Sequence, residues 1–183
     1  MTGWARPAAR SVSILAALLV GACAVVPPAP PVVGDTLTGR LAVRVDGVDG
    51  AQPRSVSAAF ELLGSAQAGR LNLSTPLGSM LAQARWAPGS VVLATPQGEK
   101  NFADLDSLTS EVLGESLPVA ALFDWLRGRP WAGAPSTASM SPAGPGFEQL
   151  GWVVDLARFD AASVAARRER APVVTVRAQL DRP

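Results

Sequence analysis

The sequence predicts a mainly β domain in which two helices interrupt an antiparallel sheet. Apolar and polar residues alternate through most of residues 39–86, and the alternation returns from Trp152, as half-buried antiparallel strands require. Between Asn101 and Pro130 the apolar spacing changes to that of helices. The chain has 183 residues, 48% of them hydrophobic, which suits one domain with its own core.

The early strands place alternate residues on one face of the sheet. These apolar positions are Leu41, Val43 and Val45; Val56, Ala58, Phe60 and Leu62; Leu71 and Leu73; and Met80, Ala82, Ala84 and Trp86. Turn-forming residues separate the strands at Asp49-Gly50, Gly64-Ser65, Pro88-Gly89 and Gln97-Gly98. Because these connections have hairpin length, we predict that consecutive strands pair as a meander.

Two helices are predicted in the middle of the chain. Asp104 or Asp106 caps the first, and Gly114 ends it. Its apolar positions are Leu105, Leu108, Val112 and Leu113. Ser116 and Pro118 begin the second helix. Its apolar face is Val119, Leu122, Trp125 and Leu126, and it ends before Gly128 and Pro130.

The last third of the chain is predicted to return to strands. Residues 132–146 have no periodicity and predict a long mobile loop, whereas 152–156 and 174–178 alternate. The composition of 163–170 permits a short helix. The sheet needs a cover for its apolar face, and the two amphipathic helices can provide one. A strongly curved sheet under such a lid can enclose an apolar cavity.

The first 22 residues are predicted to be a secretory signal. Arg6 and Arg10 precede an apolar run at 12–22, about ten residues long, which is typical of a signal and short of the ~20 needed to cross a bilayer. A membrane anchor helix is therefore the weaker alternative. Leu19-Val20-Gly21-Ala22-Cys23 resembles the bacterial lipobox. That resemblance implies cleavage before Cys23, which then carries diacylglycerol and an N-linked acyl chain such as palmitate.

Residues 23–38 are predicted to be a tether and 39–183 the folded domain. Pro27, Pro28, Pro30 and Pro31 favour an extended, semi-rigid segment between them. Loss of Arg6 and Arg10 leaves the mature chain nearly neutral, so polybasic attraction to lipid is not its attachment mechanism. By the same resemblance to bacterial lipoproteins, Ala24 stands where an Asp typically retains Gram-negative lipoproteins in the inner membrane, and the absence of that Asp implies sorting to the outer membrane.

The composition excludes several classes of function. With no His and one Cys, the chain has no Ser-His-Asp or Cys-His nucleophile system, no Cys/His zinc site and no intramolecular disulfide. Its near-neutral charge does not favour nucleic-acid binding. Asp104 and Asp106 could form an acid–base pair or could cap a helix. Residues 167–170 could bind phosphate or form a solvated face.

One loop and a set of aromatic residues remain to be explained. Leu77 lies between Pro76 and Gly78 at a sharp turn that joins two strands, where scattered surface apolar residues are common. The aromatic residues of the domain could line a ligand cavity or fill an ordinary core. They are Phe60, Trp86, Phe102, Phe123, Trp125, Trp131, Trp152 and Phe159.

Several segments together resemble the LolB family of outer-membrane lipoproteins, which receive other lipoproteins from a periplasmic carrier. Gly39-Arg40-Leu41-Ala42-Val43 resembles its first strand, and 71–79, ending Thr75-Pro76-Leu77-Gly78-Ser79, its most recognisable motif. Residues 117–130 resemble its second helix and the exit from it. Gly151-Trp152-Val153-Val154, followed by Phe159, is similar to a late strand. The match covers about residues 39–160 in the right order.

The resemblance implies an unclosed antiparallel β-barrel, covered by helices, around an apolar cavity that holds acyl chains. Candidate cavity residues are Val43, Phe60, Leu71, Leu73, Leu122, Trp125, Leu126, Trp152 and Val154. The loop of Pro76, Leu77 and Gly78 would insert cargo into the membrane. It also implies a non-catalytic protein without cofactor or metal, lipid-anchored at Cys23 on the periplasmic face of the outer membrane.

The implied partners are a LolA-like carrier, the acyl chains of cargo lipoproteins and outer-membrane lipid. We expect no nucleic-acid partner and a monomeric protein. A structural or assembly lipoprotein that acts through protein–protein contacts is the alternative, and a lipid-acting hydrolase is disfavoured because the chain lacks a His base.

Overall fold

The structure, a computed structural model, describes residues 1–2, 36–48, 50–141 and 144–181. Contacts divide the chain into two units, Met1–Pro30 and Pro31–Pro183, and the fold below is that of the second. The predicted signal peptide beyond Thr2, Cys23 and the proline-rich segment lie outside the described residues.

In the described part of the chain, eleven strands form one antiparallel sheet. They are β1 Thr36–Val45, β2 Arg54–Gly64, β3 Gly69–Ser74, β4 Met80–Ala87, β5 Ser90–Thr95, β6 Gly98–Phe102, β7 Ser136–Ser141, β8 Gly144–Gln149, β9 Trp152–Asp155, β10 Ser163–Arg168 and β11 Val174–Leu180. Their order is β6-β5-β4-β3-β2-β1-β11-β10-β9-β8-β7. The edge strands β6 and β7 are not paired with each other, so the predicted mainly β, unclosed antiparallel sheet is confirmed.

The register puts the predicted apolar positions opposite one another. Val43 of β1 pairs with Val56 of β2 on one side and with Val176 of β11 on the other. Gly69 leaves room for the side chain of Trp86, because a Cβ there would lie 2.4 Å from the Trp86 ring. The indole of Trp86 fills that space and donates to the carbonyl of Ser65 at 3.0 Å. The predicted alternation therefore corresponds to the buried face of the sheet.

Both predicted helices are present, as α1 Leu105–Leu113 and α2 Val119–Trp125. Asp104 caps α1, since its carboxylate accepts from the backbone N–H of Ser107 at 2.7 Å. Gly114 ends α1 in the left-handed region at φ 81°, where glycine is favoured. An ion pair between Lys100 of β6 and Glu111 links α1 to the sheet edge.

The prediction of a long mobile loop at 132–146 was wrong. Most of that segment forms β7 and the start of β8, which pair as a hairpin from Ser136↔Gln149 to Ser141↔Gly144. Its residues show no apolar alternation because β7 is an edge strand and is mostly exposed. An edge strand with one neighbour needs backbone pairing but no continuous apolar face.

The short helix permitted at 163–170 is also absent, because Ser163–Arg168 is strand β10. A short 3₁₀ turn, Phe159–Ala161, precedes it. The buried positions of β10 are Val164, Ala166 and Arg168. An inward-facing arginine and a small alanine hide the alternation that would have indicated a strand.

The core consists of two clusters. In one, Trp125 of α2 packs with buried residues of the late strands, among them Phe147, Trp152 and Val154. In the other, Phe60 and Trp86 of the early strands pack with Leu108, Phe123 and Leu126 of the helical segment. Trp86 and Phe123 meet edge-on, with ring centroids 5.5 Å apart. The helical segment therefore contributes side chains to both clusters.

Candidate functional site

An apolar pocket of about 140 Å³ lies among β1, β2, β3 and the two helices. Six of the predicted residues line it: Val43, Phe60, Leu71, Leu73, Leu122 and Leu126. Residues that sequence reasoning had not assigned to it also line it, including Leu41, Val56, Leu108, Val112, Leu117 and Phe123. Leu108 and Val112 stood on the predicted helix face, and Val56 on the predicted strand face, so their periodicity was the signal that could have found them.

The one polar side chain in the pocket wall is Thr109. Its hydroxyl lies 3.1 Å from the carbonyl oxygens of both Leu105 and Asp106, and it accepts from the backbone N–H of Leu117 at 3.0 Å. The hydroxyl is thus occupied by α1 and the segment that follows it. The wall offers no free hydrogen-bonding group, so it suits a hydrocarbon and not a polar ligand.

Two valines mark where the pocket reaches solvent. Val56 at the start of β2 is 36% exposed and Val112 near the end of α1 is 47% exposed, and both line the pocket. The deeper residue Phe60 is 4% exposed. The pocket therefore opens between β2 and the C-terminal end of α1.

Three predicted cavity residues do not line the pocket: Trp125, Trp152 and Val154. They are buried in the filled cluster beside it, where the rings of Trp125 and Trp152 lie 5.9 Å apart. Trp125 is held by a hydrogen bond, since its indole N–H donates to Oε1 of Gln149 at 2.8 Å. For these residues the ordinary core interpretation is correct.

Gln149 is a structural residue that sequence reasoning missed. It is 2% exposed. Besides accepting from Trp125, its side chain accepts from the backbone N–H of Trp131 at 2.9 Å and donates to the carbonyls of Trp131 and Ala134, each at 2.7 Å. One glutamine thereby fastens the segment after α2 to β8. Nothing local in the sequence distinguishes it from a surface glutamine.

The loop between β3 and β4 presents Leu77 to solvent, 95% exposed. The backbone N–H of Gly78 donates to the carbonyl of Thr75 at 2.9 Å, which closes a four-residue turn. The Thr75 hydroxyl also accepts from the backbone N–H of Ser79 at 3.1 Å. Pro76 restricts φ within the turn, and Gly78 has φ 85°. The loop is therefore a defined turn that holds an aliphatic side chain away from the domain.

Of the two acidic residues at the start of α1, Asp104 forms the cap. Hydrogen bonds from the hydroxyl and backbone N–H of Ser107 lower the pKa of Asp104 below its usual value. A general acid needs a raised pKa instead, so Asp104 is suited to capping.

The basic segment 167–170 is divided between two environments. Arg167 pairs with Glu169 at 2.6 Å on the surface. That carboxylate raises the pKa of the Arg167 guanidinium. Arg168 points inward, pairs with Glu115 at 2.8 Å, and lies 5.7 Å from the ring centre of Trp152. The solvated-face interpretation therefore fails for Arg168, which links β10 to the segment between the helices.

The described residues contain no group of three or more His, Cys, Asp and Glu placed to hold a metal ion. None of the helices in the described ranges is long and apolar enough to cross a membrane.

Comparisons with known proteins agree on one family. The family described as "Outer membrane lipoprotein LolB" matches residues 36–178. A Bordetella parapertussis protein named "Outer-membrane lipoprotein LolB" is 35% identical over 185 residues, covering 96% of this chain and 92% of the relative. Relatives of the same name from Bordetella petrii and Cupriavidus necator are 37% and 34% identical, covering 80% and 84% of this chain and 76% and 82% of their own. The chain therefore belongs to the LolB family of outer-membrane lipoproteins.

Proposed function

We propose that this protein accepts lipoproteins from a periplasmic carrier and inserts them into the outer membrane, without catalysis. The observation that carries the proposal is the apolar pocket, whose wall has no free hydrogen-bonding group. An acyl chain is the ligand that such a wall favours, because each buried methylene contributes about 0.8 kcal/mol. Cargo then moves from carrier to receptor because its chains are better accommodated in the receptor.

The pocket has to enlarge to accept a whole acyl chain. Its volume is about 140 Å³, close to the ~150 Å³ of an apolar cavity that binds benzene. Only part of a chain fits at that size. We infer that cargo enters between Val56 and Val112 and separates the helices from the sheet, which would enlarge the pocket.

Cys23 is the proposed attachment point, with diacylglycerol and an N-linked acyl chain. These chains would hold the protein on the periplasmic face of the outer membrane. The partner is a LolA-like carrier, the protein acts as a monomer, and the Pro76-Leu77-Gly78 turn enters the bilayer during release of cargo.

The test replaces the exposed leucine with a charge. Leu77→Glu should leave the free energy of unfolding unchanged, since the side chain is 95% exposed, and should block delivery of a labelled acylated protein to outer-membrane vesicles. Met140→Glu is the matched control, because Met140 is 82% exposed on β7, away from the turn. Undiminished delivery by Leu77→Glu would refute the role of the turn. If saturable acyl-chain binding were also absent, the structural or assembly alternative would be preferred.

A further inference from the structure

We propose that the lipid bilayer is contacted by a whole rim of the sheet, with Val48 and Leu150 as second and third contact points besides Leu77. This inference rests on the proposed function. The loop rim is defined as the described residues of the loops 46–53 (without residue 49), 75–79, 96–97, 150–151 and 169–173. The partner it fits is a phospholipid surface.

The strand register places these loops on the same rim. Val45 at the end of β1 pairs with Val174 at the start of β11, so loops 46–53 and 169–173 are neighbours. Arg167 near the end of β10 pairs with Val153 near the start of β9, which brings turn 150–151 beside them. Loops 75–79 and 96–97 follow β3 and β5, which run toward the same rim.

Exposed aliphatic side chains are concentrated at this rim. Among the described residues, the large apolar side chains that are exposed at or next to it are Val48, Val56, Leu77, Met80, Leu81, Val112 and Leu150. The only others are Met1 and Met140, and Met140 lies near the opposite rim. Such one-sided exposure of apolar side chains is typical of an interaction surface.

Leu150 adopts a backbone conformation that leucine disfavours. It and Gly151 form the two-residue turn between β8 and β9, with φ 55° and 75°. Two positive φ values are typical of a hairpin turn in which Asn-Gly is preferred, and a bulky side chain at positive φ is uncommon. Leu150 is also 47% exposed. Leucine at this position is thus unfavourable both in its backbone conformation and in the exposure of its apolar side chain to water. This combination indicates a functional role and not a structural one.

Charge at the rim favours a lipid surface as the partner. Arg54 and Arg170 form no ion pair within the described part of the chain. Arg170 and Asp106 line the same surface depression as Leu150. Aliphatic tips flanked by free guanidinium groups match acyl chains beneath phosphate headgroups.

The chain between Cys23 and the sheet is long enough for this orientation. β1 begins at Thr36 on the opposite rim and has 10 residues, or about 33 Å of strand. Residues 24–35 can span up to roughly 40 Å when fully extended. A lipidated Cys23 can therefore reach the bilayer while the loop rim faces it.

The test uses single introduced thiols in the lipidated full chain. Because Cys23 is the only cysteine and its thiol would carry lipid, an introduced cysteine can be labelled uniquely with an environment-sensitive fluorophore. Positions 48, 77 and 150 are compared with two exposed positions near the opposite rim through Val48→Cys, Leu77→Cys, Leu150→Cys, Gln67→Cys and Met140→Cys. Each is reconstituted in phosphatidylethanolamine–phosphatidylglycerol vesicles with nitroxide-labelled acyl chains.

We expect loss of fluorescence at 48, 77 and 150, and none at 67 or 140. Quenching at 77 without quenching at 48 or at 150 overturns the rim contact but leaves the role of Leu77 intact. No quenching at 77 contradicts the proposed insertion turn itself. Fluorescence changes at 48 and 150 that require the carrier protein, and not lipid, would identify the rim as a protein-docking surface and also overturn the inference.

Leu150→Asn gives an independent readout. Asparagine suits the turn better than leucine, so the variant should be at least as stable as the parent in urea. Its delivery of cargo to vesicles should nevertheless fall, about tenfold if one buried aliphatic contact is lost. Unchanged delivery with unchanged stability would exclude Leu150 from the contact surface.

Discussion

Single residues decide which parts of the interior are filled and which are open. Gln149 satisfies four backbone and side-chain groups around Trp125 and Trp131, and it does so at 2% exposure. Thr109 performs a similar task in the pocket wall by hydrogen bonding to α1 and to the segment that follows it. In the first case polar bonds fix a solid core, and in the second they leave a wall that is wholly apolar toward the pocket.

Replacing Gln149 tests how much this network contributes. Gln149→Leu leaves the indole N–H of Trp125 and the backbone N–H of Trp131 without partners, and each such group costs about 1–3 kcal/mol. We expect a loss of about 3 kcal/mol in the free energy of unfolding, measured by urea denaturation. Gln97→Leu, on the exposed turn before β6, should change it by no more than about 0.5 kcal/mol. Equal stability of the two variants would contradict the structural role.

The short elements of this fold are stabilised by caps at their ends and by pairing with neighbouring strands. α1 has 9 residues, too short for an isolated helix to be stable in water. Its N-terminus is capped by Asp104 and its C-terminus by Gly114. β7 buries little apolar surface, because it is an exposed edge strand. Its conformation therefore depends on backbone pairing with β8.

The capping of α1 predicts a dependence on pH. The pKa of Asp104 is lowered by its hydrogen bonds from Ser107. Its charge therefore stabilises the folded state above the ordinary Asp pKa of about 3.9, and that contribution is lost as pH falls through the lowered folded value. The stability difference between the parent and Asp104→Ala should be constant near neutrality and narrow below about pH 4.

Thermal unfolding between pH 7 and pH 2 measures this difference. Asp106→Ala serves as the comparison, because Asp106 lies in the same first turn without forming the cap. An unchanged gap between parent and Asp104→Ala across the acid range would show that the charge on Asp104 does not contribute.

At the scale of the whole domain, the strand order and register bring the pocket mouth and the exposed turn to the same rim of the sheet. Val56, at the mouth, lies in the part of β2 next to loop 46–53. Leu77 is on the turn after β3, which belongs to the same rim. A chain leaving the pocket at Val56 would emerge on the side from which the turn protrudes.

A charge at the mouth should impair acyl-chain binding without unfolding the protein. Val56→Asp places a carboxylate beside an apolar pocket, where an acyl chain would desolvate it, so we expect affinity for a fluorescent fatty acid to fall about tenfold. Ser57→Asp is the matched control, because Ser57 is exposed and adjacent on the outer face of β2. Equal affinities in both variants would place the binding site elsewhere.

The amino-acid sequence was enough to predict strands β1 to β4, both helices, an acidic cap at 104 or 106, the turn at Leu77 and six of the residues that line the pocket. Each of these depends on local spacing: two residues for strands, three or four for helices, and proline or glycine at turns. β7 and β10 could not be found in this way. Their side chains lack apolar alternation, and their conformation is decided by the strands beside them.

Long-range packing determines which aromatic residues fill the core and which apolar residues border open space. Trp125 and Leu122 lie on the same predicted helix face, yet Trp125 packs against Trp152 and Leu122 lines the pocket. The difference depends on what lies opposite each side chain. Trp125 faces a tryptophan that is distant in the sequence, whereas Leu122 faces the open pocket. For the same reason Leu150 gave no signal in the sequence, because its place beside the other rim loops depends on pairing of β9 with β10 and of β10 with β11.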